Sequence, residues 1–557
     1  MVSEAATVRD DAVISYGPLG YKGLIREGYV FGMACFASIG GLLFGYDQGV
    51  ISGVLVMTNF GKHFPTLASD PTLQGWMVSV LTLGAMAGAL LNGPIADRLS
   101  RRWSLLAANL IFLCGSAVQC AARTTAHIFV GRAVAGVAVG MLSMGVPLYL
   151  GELAPPNIRG ALVALQQLAI TVGIMVAFWL DYGTQHIGGT GEGQSEVAWR
   201  LPLALQCVPA AVMAVGTWFL PYSPRWLVGQ DREDEALATL CRLRRTTPAD
   251  PRIRFEMMEI KVATAFDRES LAVRFPGVTS KFVLAVRQYQ ELFVVHHLSK
   301  RLMIACLLQI IQQFTGISPV VETDMDASYA PQIFRSIGLT GNSVDLLATG
   351  VVGVINFFST IPAIMYLDRW GRRTVLIIGG IGMGISQLIV GTLFAVYKDR
   401  WSSHTSAGWA AAVFVWIYIS NFAFSIGCVN WIMPSEIFPP GVRSKAVGLA
   451  ISTNWLTNFI VALITPRMLR SITFGTFYFF LVFCVVLVFW VYFLVPETKG
   501  VPIEEMDKKF GGNQGEAEIR IMEDIRTRLE GRDGITETTW SKETKGNGSV
   551  EHKEQAA

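Results

Sequence analysis

With 557 residues, 52% hydrophobic and only 16% charged side chains, and a mean hydropathy of +0.44, the chain is far more apolar than a soluble protein of that length, so a membrane is its predicted solvent. A formal net charge of +3, with no basic tract interleaved with aromatics, excludes nucleic acid as a partner. Eight scattered cysteines, with no CxxC pair and no His or carboxylate cluster, argue against disulfides and against a metal site, and no cofactor is expected.

Residues 1–28 hold three basic and four acidic side chains and no apolar core ending in a small-residue cleavage site, so they read as a cytoplasmic tail and not as a removable signal. A bilayer core takes about 20 apolar residues per helix. Runs of that kind stand at 29–55, 75–95, 103–122, 127–150, 160–182 and 200–220, a six-helix half over 29–221. Residues 222–301 carry fourteen Lys or Arg among acids at helical apolar spacing, the pattern of a cytoplasmic loop with short helices. Apolar runs resume at 302–320, 345–367, 374–396, 409–433, 444–467 and 472–495, a second six-helix half over 302–495. The polar residues 496–557 read as a largely disordered cytoplasmic tail. The predicted class is an all-α polytopic membrane protein with twelve transmembrane helices.

An even count puts both termini on one face. Short loops there carry Arg98, Arg101, Arg102, Arg159, Arg369, Arg372, Arg373, Arg443 and Lys445, against Lys62, Arg123, Arg335, Lys398, Arg400, Arg467 and Arg470 opposite. This modest excess places the termini in the cytoplasm, where the sequon at Asn547 stays unglycosylated.

Asp97-Arg98-Leu99-Ser100-Arg101-Arg102 recurs as Asp368-Arg369-Trp370-Gly371-Arg372-Arg373, each between the second and third helix of its half. Glu152-Leu-Ala-Pro-Pro-Asn-Ile-Arg159 recurs as Glu436-Ile-Phe-Pro-Pro-Gly-Val-Arg443, each between the fourth and fifth. Either motif alone fits a basic loop. Two matches at equivalent places indicate duplication, the architecture in which a midplane site between two halves is exposed alternately by rocking. With Tyr149-Leu-Gly-Glu152, Pro221-Tyr-Ser-Pro-Arg225, Gln312-Gln313-Phe-Thr-Gly316-Ile317 and Pro496-Glu-Thr-Lys-Gly500, the chain resembles the sugar porter branch of the major facilitator superfamily, particularly its fungal monosaccharide transporters, over residues 25–505. Tyr222 departs from the Glu usual in the family.

The resemblance implies a major facilitator fold, no enzymatic activity, and import of a hexose such as glucose, or a pentose, by a plasma-membrane protein that acts as a monomer in the bilayer. It further implies a cytoplasmic gate of ion pairs drawn from Asp97, Arg98, Arg101, Arg102, Glu152, Arg159, Arg225, Asp368, Arg369, Arg372, Arg373, Glu436 and Arg443.

Polar amides at helix depth need a partner or a watery cavity. Gln167, Gln312, Gln313, Asn356 and Asn454 supply donors and acceptors suited to sugar hydroxyls, and Trp431 and Trp455 supply flat faces for the C–H side of a pyranose. Any one amide could simply bridge two helices; by the resemblance, all seven residues match positions that hold or stack a sugar. Ser318 replaces the Asn expected after Ile317, and Ala423 stands where some relatives carry an acid. After Ile317, about six extra residues with Glu322, Asp324 and Asp326 interrupt the run. Each acid would cost about 2.5–3.5 kcal/mol inside the bilayer, so the stretch belongs at the mouth or cavity or is a gene-model error.

The same fold serves sugar sensors, and its ligand could equally be a polyol, disaccharide or quinate-like acid. The seven histidines form no recognisable catalytic arrangement. Asp47 and Arg132 are ionisable residues inside apolar runs of the N-terminal half. Either they form a permanent structural ion pair, or a changing distance between them makes Asp47 bind and release a proton, since burial favours the neutral acid and a nearby Arg the carboxylate. By the resemblance, an acid at Asp47 accompanies proton symport, although some facilitators also keep it.

Overall fold

The computed structural model describes residues 4–9, 12–18, 20–189, 191–277, 280–317, 342–397, 404–499 and 512–532. Apart from a hairpin of β1 (Glu4–Arg9) and β2 (Ala12–Pro18), every regular element among the described residues is helical. After α1 (Tyr21–Arg26), the first span is α2 (Gly28–Ala37) with α3 (Ile39–Leu55), parted at Ser38. Short α4 (Thr58–His63) and α5 (Pro65–Ser69) lead to α6 (Pro71–Leu99). Asp70 starts that helix by accepting from the backbone N–H of Thr72 at 2.8 Å, with Pro71 preset for the first turn. The half is completed by α7 (Arg101–Cys120), α8 (Thr125–Leu153), α9 (Arg159–Thr184), and α10 (Val197–Leu205) with α11 (Cys207–Gly216).

The central loop folds into α12 (Pro224–Gly229), α13 (Glu233–Arg244), α14 (Pro251–Arg274) and α15 (Lys281–Val294). The second half follows as α16 (His296–Phe314), α17 (Asn342–Trp370), α18 (Arg372–Tyr397), α19 (Thr405–Phe424) with α20 (Ile426–Ile437), α21 (Pro440–Ser471) and α22 (Gly475–Leu494). Eleven described helices are long and apolar enough to cross a bilayer, and the pair α15 and α16, bent by 85°, makes a twelfth if taken as one span.

The seventh helix differs from the expected 302–320. It begins at His296 and ends at Phe314, with Gly316 at φ +94° turning the chain away. Its polar start is buried because Arg301 donates to the Ile437 carbonyl at 3.0 Å, a partner hydropathy cannot anticipate. The inserted stretch 318–328 lies outside the described residues. Within the tail expected to be disordered, residues 512–532 form α23 (Gly512–Arg532). It buries Ile525 against Met258 and Val262 of α14, and Arg526 and Arg528 pair with Glu259 and Glu269 of the same helix.

In the first half α3 packs on α9, and α6 and α7 on α8; the halves meet along α6 with α21 and α9 with α17. The face carrying the duplicated loops is called the basic face below. In those loops Ser100 has φ 85° and Gly371 has φ 88°, so the duplication preserves backbone shape. Ser100 holds a conformation suited to glycine, at φ 85° and ψ 158°, which costs about 1–3 kcal/mol in a residue with a Cβ. Its hydroxyl caps Trp103 N–H at a long 3.4 Å, and glycine at an N-cap is worse by only a few tenths of a kcal/mol. Ser100→Gly is therefore expected to stabilise the protein by about 1 kcal/mol, read as a raised melting temperature in detergent; a lower one would show that the cap outweighs the backbone.

Candidate functional site: a gate, an amide cluster and two buried charges

The gate repeats in both halves. Arg101 pairs with Glu152 at 2.9 Å and with Asp97 at 3.2 Å, and Arg372 pairs with Glu436 at 2.6 Å and with Asp368 at 3.0 Å. Each aspartate then crosses to the fifth helix of the opposite half. Asp97 accepts from Ser444 Oγ and Lys445 Nζ at the start of α21, both at 2.7 Å. Asp368 accepts from the Ala161 N–H at the start of α9 at 3.0 Å, a helix terminus that favours an anion. These bonds tie the two halves together at the basic face.

The other predicted gate residues make further contacts. Arg102 donates to the Trp218 carbonyl and Arg373 to that of Tyr492, each inside its own half. Arg443 donates to the Phe438 carbonyl at 3.1 Å, and Arg159 is buried at the start of α9. The Arg369 guanidinium lies over the ring of Tyr21. Arg98 and Arg225 line a cavity of about 580 Å³ at this face, together with Asp97, Arg101 and Glu152. The missing acid at Tyr222 is replaced by a ring: Arg102 sits 5.2 Å over it, and Trp103 Nε1 donates to its hydroxyl at 3.0 Å.

Deeper between the halves, the predicted amides converge. Asn454 on α21 donates to Gln312 Oε1 at 2.6 Å and accepts from Gln313 Nε2 at 3.1 Å, both on α16. Two residues missing from the sequence reading complete this network. Gln309 accepts from Asn454 at 2.7 Å and from Asn430 at 2.6 Å, and Asn430 also donates to Gln312 at 2.5 Å. Gln309 was legible as one helical turn before Gln312 and Gln313, and Asn430 as the neighbour of Trp431. All five of these amides therefore do bridge helices, as the structural alternative requires.

Asn356 on α17 is 2% exposed and its Oδ1 has no partner among the described residues. Trp431 Nε1 donates to Gln167 Oε1 at 2.8 Å, and Trp455 Nε1 to Ser143 Oγ at 3.1 Å, each bond joining the two halves. Phe44 of α3 meets both indoles edge-on, with centroids 6.0 Å from Trp431 and 4.9 Å from Trp455. Neutral donors and acceptors thus stand beside aromatic surfaces where the halves touch.

Asp47 is fully buried on α3, and neither of its carboxylate oxygens has a hydrogen-bond partner among the described residues. Arg132 on α8 donates instead to the carbonyls of Met77 at 2.9 Å and Val78 at 3.4 Å, while its buried Nη1 has none. The permanent ion pair is not formed in this conformation.

A family model described as "Sugar (and other) transporter" matches residues 33–510. The chain belongs to this family of the major facilitator superfamily. This transporter is 36% identical over 512 residues to the sugar transport protein MST7 of Oryza sativa subsp. japonica, covering 89% of the chain and 93% of MST7. A quinate permease of Neurospora terricola is 32% identical over 495 residues, covering 86% and 88% respectively. Among solved structures, the proton:xylose symporter XylE bound to 6-bromo-6-deoxy-D-glucose superposes with a TM-score of 0.73 at 29% identity, covering 87% of this chain and 99% of that one. The inward-open form of XylE from E. coli reaches 0.62 at 28% identity, with 86% and 100% covered. These relatives are transporters, not enzymes, and the fold is theirs.

Proposed function

We propose that this transporter imports a monosaccharide, a hexose or a pentose, by proton symport with alternating access, as a monomer of the plasma membrane with its basic face and both termini in the cytoplasm. The observation that carries the reading is the amide and indole cluster at the junction of the halves. Gln167, Gln312, Gln313, Asn356 and Asn454 offer hydroxyl-directed groups beside Trp431 and Trp455, and rocking the halves breaks the two indole bonds that join them. The clamped basic face and the higher TM-score against the sugar-analogue complex than against the inward-open form support a conformation closed on the cytoplasmic side.

The quinate permease relative supplies a second reading, but every cluster residue named above is neutral, so none of them counters a carboxylate. Uptake of labelled glucose, xylose and quinate, in a cell lacking its own carriers, tests the choice. Sugar uptake is expected, and Asn454→Ala should lower it about tenfold with the protein still at the membrane, since about 1–1.5 kcal/mol attaches to each hydrogen bond lost. Uptake of quinate alone, or an Ala variant as fast as wild type, would move the site elsewhere.

A further inference from the structure

A second acid lies in the N-terminal half, outside everything described above. Helix α3 carries glycines at 41, 45, 49 and 53, one every four residues and so along one face. Against that row lie Gln166, Ile170, Ala177 and Asp181 of α9: a Cβ on Gly45 would come within 2.0 Å of the Ile170 carbonyl oxygen, and one on Gly53 within 2.3 Å of Asp181 Oδ2. Asp181 fills the last notch. It is fully buried, and neither carboxylate oxygen has a hydrogen-bond or ion-pair partner among the described residues.

Among the described residues, the charged and titratable groups around α9 do not neutralise it. Tyr46 on α3 lies within electrostatic range of both Asp181 and Asp47, and its hydroxyl donates to the Pro202 carbonyl at 2.8 Å. On α10, Arg200 is engaged by Glu196 and by the carbonyls of Cys120 and Ala122. Arg132 on α8 bonds to the carbonyls of Met77 and Val78. Tyr182 at the end of α9 and His186 just beyond it pack edge to face on each other. Asp368 of α17, and Glu436 of α20 paired with Arg372, sit at the basic face, beyond the opposite end of α9. An isolated carboxylate in such surroundings takes up a proton in preference to remaining charged.

We propose that Asp181 is a second proton-binding site of this transporter, held as the neutral carboxylic acid in the α3–α9 seam and exchanging its proton with the side opposite the basic face. The site stands three residues before the end of α9 at Thr184, about 5 Å along the helix axis. With Asp47 on the same side of Tyr46's reach, proton binding by the N-terminal half is shared between two acids. Only the transport consequence rests on the symport reading; the protonation state does not.

The purified full-length protein decides it in three ways. An infrared difference spectrum between neutral and alkaline solution should show the carbonyl stretch of a protonated carboxyl, and Asp181→Asn should remove that component. Melting temperature should fall for wild type as pH rises above the ordinary carboxylate range, because the folded state holds a proton that the unfolded state has released, and should fall less for Asp181→Asn. Sugar counterflow in an Asp47→Asn background should drop at least about threefold over the same range, and addition of Asp181→Asn should flatten the profile. An infrared band unaffected by Asp181→Asn, or melting profiles that coincide, overturns the proton site even if the protein carries no sugar. Counterflow whose pH dependence survives Asp181→Asn overturns its part in transport.

Discussion

Asp47→Asn is expected to abolish accumulation of sugar against a gradient while downhill exchange persists. The carboxylate is completely buried with both oxygens unpartnered, and Arg132 stands on the neighbouring α8 with Nη1 unengaged. Arg132 holds the Met77 and Val78 carbonyls and keeps Nη1 for a further partner, and the expected coupling is that Asp47 meets it in another conformation. In the proposed cycle Asp47 carries a proton in one state and pairs with Arg132 in the other. Asparagine keeps the shape and loses the proton. One charge moved through the membrane is worth about 2.3 kcal/mol per 100 mV, equivalent to about fiftyfold accumulation. Labelled sugar in vesicles under an imposed potential should therefore reach a ratio of tens for wild type and about one for the variant. An Asn variant that still concentrates sugar, or a wild type whose sugar uptake draws in no protons, would leave Asp47 a structural residue.

The spans were legible because hydropathy reports them directly, and the duplicated motifs mark the two loops that carry equivalent ion pairs. The choice among the gate arginines was also present in the spacing. Asp97 and Arg101, like Asp368 and Arg372, are four apart at the end of one helix and the start of the next, whereas Arg102 and Arg373 lie one residue farther round the helix. What the sequence hides depends on partners distant along the chain. Arg301 reads as the end of a loop until the Ile437 carbonyl receives it. Asp181 falls in the apolar run 160–182 without a sequence signal of its own, and only the structure shows the notch that Gly53 gives it. Glycines add little to a hydropathy average, so the row along α3 disappears into an apolar run although its four-residue period is visible. The amides were found through their residue type, yet which of them tie helices together and which keep groups for a ligand became apparent only from the bonds of Asn430 and Asn454.

Asp97→Asn combined with Asp368→Asn is expected to open the basic face. These two side chains are placed equivalently by the duplication, and each reaches the start of the opposite half's fifth helix, Asp97 to Ser444 and Lys445 and Asp368 to Ala161 N–H. A hydrogen bond to a charged group contributes about 1.5–3 kcal/mol, so losing the charge on both sides removes about 3–5 kcal/mol from the closed arrangement. The two conformations of such a protein differ by only a few kcal/mol, so a shift of that size reverses the population. Reporter cysteines in the cavity beside Arg225 should become reactive toward a reagent applied at the basic face, and those on the opposite face should become protected. Neutralising Arg102 and Arg373 should do much less, because their carbonyl partners at Trp218 and Tyr492 belong to the same half and move with them. Unchanged reactivity in the double Asp variant, or an equal response to the Arg pair, would mean that the faces are held by the helix contacts along α6 and α21 and not by this clamp.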